Sequence, residues 1–304
     1  MKIKNFILLA LAALALTGCK SLYGKYERPA VKVAGVVRSP LSDTDTLAVT
    51  DTASFGNLPW RSVFTDPQLQ SLIATALEHN YDLLNAALNV QAAEAQLKSA
   101  RLAFLPSFAF TPQGTISSWD GHAAVKTYSL PVSASWTIDL FGTLLSAKRS
   151  SQMALMGMKD YQLAARTRLI SNVANLYYTL LMLDKELELI DEMETLAKDT
   201  WETMQLQKEY GRVRSTGVQS AESNYYSVQA QKVGLKRQLR EAENALSLLL
   251  GQSAHSIARG KFGGQSLPTN FSTGISLQML NNRPDVHAAE MSLAQCFYNV
   301  QTAR

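Results

Sequence analysis

The sequence predicts a mainly α-helical protein with one β-hairpin, built from long antiparallel helices and carrying an internal duplication whose second copy is incomplete. Three observations predict this. There is no proline from Val132 through Leu267 and no glycine between Gly157 and Gly211, which leaves more than fifty residues of unbroken helix-compatible chain. Two segments near residues 108–140 alternate apolar and polar residues with period two. The pattern of residues 80–101 restarts near residue 283. Composition sets the frame: 304 residues, 46% hydrophobic and 18% charged, with a mean hydropathy of -0.06. That is too apolar for a disordered chain and too polar for a bundle of membrane-spanning helices.

Residues 1–18 read as an export signal. Lys2 and Lys4 precede the apolar run Asn5–Leu16, which is too short to cross a bilayer as a mature helix. Removing the two lysines lowers the formal charge from +4 to +2, so no basic field remains to hold nucleic acid. Leu16-Thr17-Gly18-Cys19 resembles the lipobox of bacterial lipoproteins, with Cys19 as the lipidated residue, and Lys20 fits sorting to the outer membrane. An ordinary signal peptide beside a chance cysteine is the alternative. Cys296 falls in a helical pattern and reads as a small buried thiol without a role.

Residues 19–65 are rich in Ser, Thr, Asp and Pro and predict an extended, lipid-anchored segment. Residues 66–105 predict one helix. Asp66-Pro67 supplies its N-cap and first-turn proline, the stretch Ala86–Ala100 allows close helix approach, and Pro106 stops it. Residues 106–142 predict a hairpin. Tyr128, Leu130, Val132, Ala134, Trp136, Ile138 and Leu140 share one face, while Thr127, Ser129, Ser133, Ser135, Thr137 and Asp139 share the other. Phe108, Phe110 and Ile116 form the apolar side of the first strand, and Asp120, Gly121 and His122 close the turn. Tyr128, Leu130, Val132, Trp136 and Ile138 are the candidate lipid-facing positions of a barrel strand. A soluble sheet packed on one face fits the same alternation, and Pro112 and Pro131 sit awkwardly in either.

Residues 143–250 predict a long helical hairpin, with its reversal at Arg212–Thr216 and a second helix from about Ser220 to Leu250. Its apolar positions include Leu169, Val173, Leu176, Leu180, Leu183, Leu187, Ile190 and Leu196, whereas Asp184, Lys185, Glu186 and Glu188 read as a solvated face. Residues 251–276 read as a linker. From residue 277 the pattern restarts: Asn80–Arg101 aligns with Arg283–Arg304 without a gap, with Asp82, Ala86, Ala100 and Arg101 matched identically. The expectation is a truncated second repeat over residues 277–304.

These residues resemble the TolC-like outer membrane factor family, in the lipoprotein branch that serves resistance-nodulation-division efflux pumps. The resemblance is carried in order by Tyr23–Pro29, Trp60–Leu69, Ala76–Pro106, Trp136–Gly142, Gly217–Gly251 and the restart signature Arg283, Pro284, Asp285 and Val286. It implies, for the full-length form, a homotrimer in which each protomer gives strands to a shared outer-membrane β-barrel and long helices to a periplasmic α-barrel. It also implies an adaptor-docking helical tip at Val213, Arg214, Ser215, Thr216, Gly217, Val218, Gln219 and Ser220, which by sequence alone is a plain helical turn. The implied partners are a periplasmic adaptor, an inner-membrane transporter of the resistance-nodulation-division type, and outer-membrane lipid. Three copies of one hairpin supply six strands, fewer than the eight of the smallest barrels.

The function expected is passive conduction of drugs or other small molecules from periplasm to exterior, with no cofactor beyond the lipid on Cys19. The four histidines lie far apart, and no metal-ligand or phosphate-loop spacing occurs, so no enzyme activity is expected. A lipid-anchored periplasmic coiled-coil scaffold without a pore is the competing reading.

Overall fold

The computed structural model describes residues 24–29, 59–121, 123–264 and 283–303. Helix α1 covers Trp60–Val63, α2 Pro67–His79, α3 Tyr81–Leu102, α4 Thr143–Glu209, α5 Ser215–Leu249 and α6 Pro284–Ala303. Four short strands stand between α3 and α4: β1 Ser107–Phe110, β2 Gln113–Ser117, β3 Val125–Ser129 and β4 Val132–Ser135. At 67 residues, α4 runs for ~100 Å at 1.5 Å per residue.

The chain divides into two compact units. The first comprises residues 1–44, 86–162 and 277–304, and so holds the strands, the start of α4, most of α3, and α6. In α3 the buried side chains are Ala86, Val90, Ala93 and Leu97. Their spacing of four, three and four keeps one narrow, small-residue seam inward while Leu84 and Leu88 stay exposed. Helix α6 packs on α4: Ser150 Oγ donates to Asn299 Oδ1 at 2.6 Å, His287 Nδ1 and Asp160 Oδ2 lie 2.5 Å apart, and a Cβ on Gly157 would sit 3.6 Å from Met291 Cβ.

The second unit, residues 45–85 and 163–276, has the larger core. Leu69, Ile73 and Ala76 of α2 meet Leu169, Val173, Tyr177 and Leu180 of α4 and Leu246 beside the end of α5. Farther along, Ile190, Ala197 and Val228 form a smaller cluster where α4 and α5 lie side by side. The seam passes through Ala197 and leaves Leu196 69% exposed, so Leu196 does not belong to the apolar face expected of it. Lys232 clips the pair by bonding Asp191 and Glu194, each at 2.7 Å.

One helix is expected over residues 66–105, and two are found. Asp66 caps α2 as anticipated, its Oδ1 accepting from Gln68 N at 2.8 Å. Asn80 then ends α2 and starts α3 in extended conformation (φ -70, ψ 125), with Oδ1 accepting from Leu83 N and Nδ2 donating to Leu249 O, both at 3.0 Å. One buried side chain thus caps a helix and fastens the break to the end of α5. Gly251, at φ 68, closes α5, and a Cβ there would come within 2.5 Å of His79 O. Only glycine supplies both the left-handed backbone and the room.

Candidate functional site

The strands form a single hairpin. Ser107 faces Ser135 and Gln113 faces Ser129, so the partners' numbers sum to 242 in both halves and the register is unbroken. Pro131 accounts for the gap between the two halves: it has no N–H to return to Thr111 O, but Thr111 N still donates to Pro131 O at 3.2 Å across it. Ser107–Ser117 and Val125–Ser135 are eleven residues each, and a tilted strand needs 9–11 to cross a bilayer. The turn is set by Asp120 and Gly121 at φ 51 and 73. His122 lies outside the described residues.

Paired positions share a face in an antiparallel ladder. Phe108 with Ala134, Phe110 with Val132, and Gly114 with Tyr128 make the apolar face; Ser107 with Ser135, Ala109 with Ser133, and Thr115 with Thr127 make the polar one. Both faces are exposed throughout, with Phe108, Tyr128, Val132 and Leu130 each at least 70% accessible.

The expected lipid-facing strand is corrected at its end. β4 stops at Ser135, so Trp136 and Ile138, although exposed, lie beyond it. Residues 136–142 form a strand-to-helix elbow. Trp136 Nε1 donates to Phe104 O at 3.1 Å. Asp139, read above as a strand residue, accepts from Leu144 N at 3.2 Å and Leu145 N at 2.8 Å, satisfying free N–H groups of the first turn of α4. Gly142 makes the bend at φ 73. The Trp136–Gly142 motif is thereby explained by geometry.

The reversal between α4 and α5 comes earlier than expected, at Tyr210–Arg214, and α5 starts at Ser215. Gly211, at φ 69, ends α4 with Gly211 N bonded to Lys208 O and Arg212 N to Gln207 O. Of the tip residues, Arg214, Ser215, Thr216, Gln219 and Ser220 are exposed, Val213 and Gly217 are half-buried, and Val218 is buried. A Cβ on Gly217 would lie 2.8 Å from Val213 Cγ1, so this glycine lets the turn close.

The restart signature forms a helix start. Pro284 opens α6, Arg283 grips Asp285 through two bonds of 2.6 and 3.1 Å, and Val286 follows in the first turn. Helices α3 and α6 begin at Tyr81 and Pro284, the same 203-residue offset as the sequence alignment.

Sequence reasoning missed a polar clasp in the second unit. Tyr177 Oη donates to Asp66 Oδ2 at 2.5 Å and accepts from Gly260 N at 3.0 Å. Burial, then the Asp66 bond, pushes its pKa up to about 12. Arg259 bonds Asp184 (Nη2 to Oδ1, 2.8 Å) and Glu243 (Nη1 to Oε1, 2.6 Å). Asp184 is therefore paired and does not belong to a merely solvated face, and the first residues of the expected linker are fastened down, with Ile257 buried. The missed signal was a lone arginine in a Gly/Ser-rich stretch. Cys296 is exposed, contrary to the buried thiol expected, and Cys19 lies outside the described residues. Among the described residues no cluster of potential metal ligands occurs, and no helix is long and apolar enough to cross a membrane.

An exposed two-faced hairpin mounted between long helices is a fold of the outer-membrane channel class. The crystal structure of CusC superposes with a TM-score of 0.74 at 26% identity, over 92% of this chain and 63% of that one. The family model for outer membrane efflux proteins matches residues 72–252, and the chain belongs to that family. It is 30% identical over 302 residues to the cation efflux system protein CusC of Escherichia coli K12, covering 96% of this chain and 64% of that protein. It is 28% identical over 294 residues to the probable outer membrane lipoprotein SilC of Salmonella typhimurium, covering 95% and 62%. The chain thus spans a little under two thirds of the length of these relatives.

Proposed function

We propose that this protein is the outer-membrane channel subunit of a tripartite efflux system, lipidated at Cys19, and that it conducts drugs or other small molecules passively from periplasm to exterior. Three copies contribute their hairpins as part of the strands of one β-barrel, which needs more than the six they supply, and their helices to a periplasmic tunnel. The tip Val213–Ser220 docks a periplasmic adaptor, which links it to an inner-membrane transporter that supplies the energy. Residues 283–303 begin a second structural repeat. The protein has no catalytic step and no cofactor beyond its lipid.

The observation that carries this reading is the hairpin, which exposes Phe108, Phe110, Ile116, Tyr128 and Val132 on one side, with Lys126 beside Ile116 near the turn, and mostly Ser, Thr and Gln on the other. A bilayer covers the first and a water-filled lumen solvates the second. A periplasmic scaffold has no use for such a surface. The test is conductance: protein purified from outer membranes should produce discrete single-channel steps in a planar bilayer. A membrane-bound protein that never conducts would establish the scaffold.

A further inference from the structure

The reversal between α4 and α5 gathers charge of one sign. Residues 203–221 hold three cations, Lys208, Arg212 and Arg214, against one acid, Glu209, a local net charge of +2. All four side chains are exposed, and among the described residues none of them forms an ion pair. The next cation on each helix is paired. Lys198 of α4 reaches Glu202 at 3.5 Å, and Lys232 of α5 reaches Asp191 and Glu194, each at 2.7 Å. At the reversal no carboxylate stands within that distance of a cation.

The charge is set beside apolar surface. Tyr210 is 79% exposed and Leu206 56%. Tyr210 N donates to Leu206 O at 3.2 Å, which places the two residues one turn apart on one side of the chain. A reversal touched only by water gains nothing from a bare tyrosine and leucine, whereas tyrosine and arginine are the residue types that anchor protein interfaces. The backbone beneath them is settled: Gly211 N donates to Lys208 O at 2.9 Å and Arg212 N to Gln207 O at 2.8 Å. Two of the three cations are arginines, whose planar guanidinium takes both oxygens of a carboxylate at once. Arg214 is also the N-cap of α5 and no side chain caps that first turn, so the helix adds partial positive charge at the same place.

We infer that the reversal is a cationic dock for an acidic segment of the periplasmic adaptor, a helix end or loop whose carboxylates are taken by Arg212 and Arg214. Lys208 steers it in, and an apolar side chain beside the acids covers Tyr210 and Leu206. This rests on the proposed docking of an adaptor at the tip and adds the chemistry by which the adaptor is recognised. The cations lie in open solvent, so they act chiefly on the rate of encounter and are screened by salt beyond ~8–10 Å.

The probe is a synthetic helical hairpin whose reversal carries three glutamates and a leucine, compared with a twin carrying glutamines in place of the glutamates. The full chain should bind the glutamate hairpin at least tenfold more tightly than its twin, with the advantage vanishing as salt rises toward about 1 M. Lys208→Gln, Arg212→Gln and Arg214→Gln together should remove that advantage with helix content unchanged. Arg166→Gln, Lys236→Gln and Arg240→Gln, which strip the same charge from elsewhere on α4 and α5, should leave it in place. Equal loss in both triple variants would overturn the dock, because bulk charge would then explain the binding. So would vesicles of anionic phospholipid that bind through the three tip cations while the glutamate hairpin does not. Cross-linking separates this inference from the reading beneath it. If the adaptor cross-links to the tip equally in the parent and in the tip triple variant, docking stands and recognition through carboxylates falls. If the adaptor never cross-links to the tip while the glutamate hairpin binds as described, the cationic dock stands and its assignment to the adaptor falls.

Discussion

At the scale of single residues, the informative positions are those where backbone and side chain solve two problems together. Asn80 caps α3 and ties the helix break to Leu249 O, and Gly251 lets that junction close. Gly251→Ala forces a left-handed non-glycine residue against His79 O, so it should cost about 1–3 kcal/mol and lower the thermal midpoint measured by circular dichroism. An unchanged midpoint would mean the contact is not made. At the tip, Gly217→Glu should reduce cross-linking to the adaptor at least tenfold with helix content unchanged. The contact with Val213 Cγ1 supplies a control: Val213→Ala with Gly217→Glu restores space without removing the charge. If the pair cross-links like the parent, displacement of Val213 caused the loss and the charge did not.

At the scale of elements, the hairpin and the clasp make opposite demands. The hairpin needs something outside the chain to cover its apolar face. Val132→Lys places a charge on that face, should cost about 2–4 kcal/mol in a bilayer midplane, and should deplete the protein from outer-membrane fractions. Ser133→Lys, one residue on and on the opposite face, should leave membrane recovery intact, and equal depletion by both would contradict the two-faced assignment. The clasp is satisfied from within. Arg259→Ala leaves Glu243, 8% exposed, without its cation and should destabilise the second unit by about 3–5 kcal/mol, read as a lower urea midpoint. Replacing Arg259 and Glu243 together with apolar residues should recover much of that loss.

At the scale of the whole molecule, what the sequence disclosed was periodicity, and what it concealed was anything that required two distant segments to meet. The length of α4, the reversal near Gly211 and the alternation through the strands follow from local rules, and so does the cap at Asp66. The break at Asn80 does not, because its stabilising partner is 169 residues away, and the same holds for Arg259, 75 residues from Asp184. Residues 136–142 misled for the converse reason: Ile138 and Leu140 keep strand periodicity while Asp139 and Gly142 are already building the helix start. The two prolines of the hairpin carry a last implication. Because Thr111 and Pro131 are a hydrogen-bonded pair, even-numbered residues direct their N–H groups outward from both edges. Pro112 removes one such donor from the first edge, and the second edge loses none. The hairpin thus has a left and a right side that are chemically unlike, so that a strand joining it meets an unbroken row of donors at one edge and a gapped row at the other.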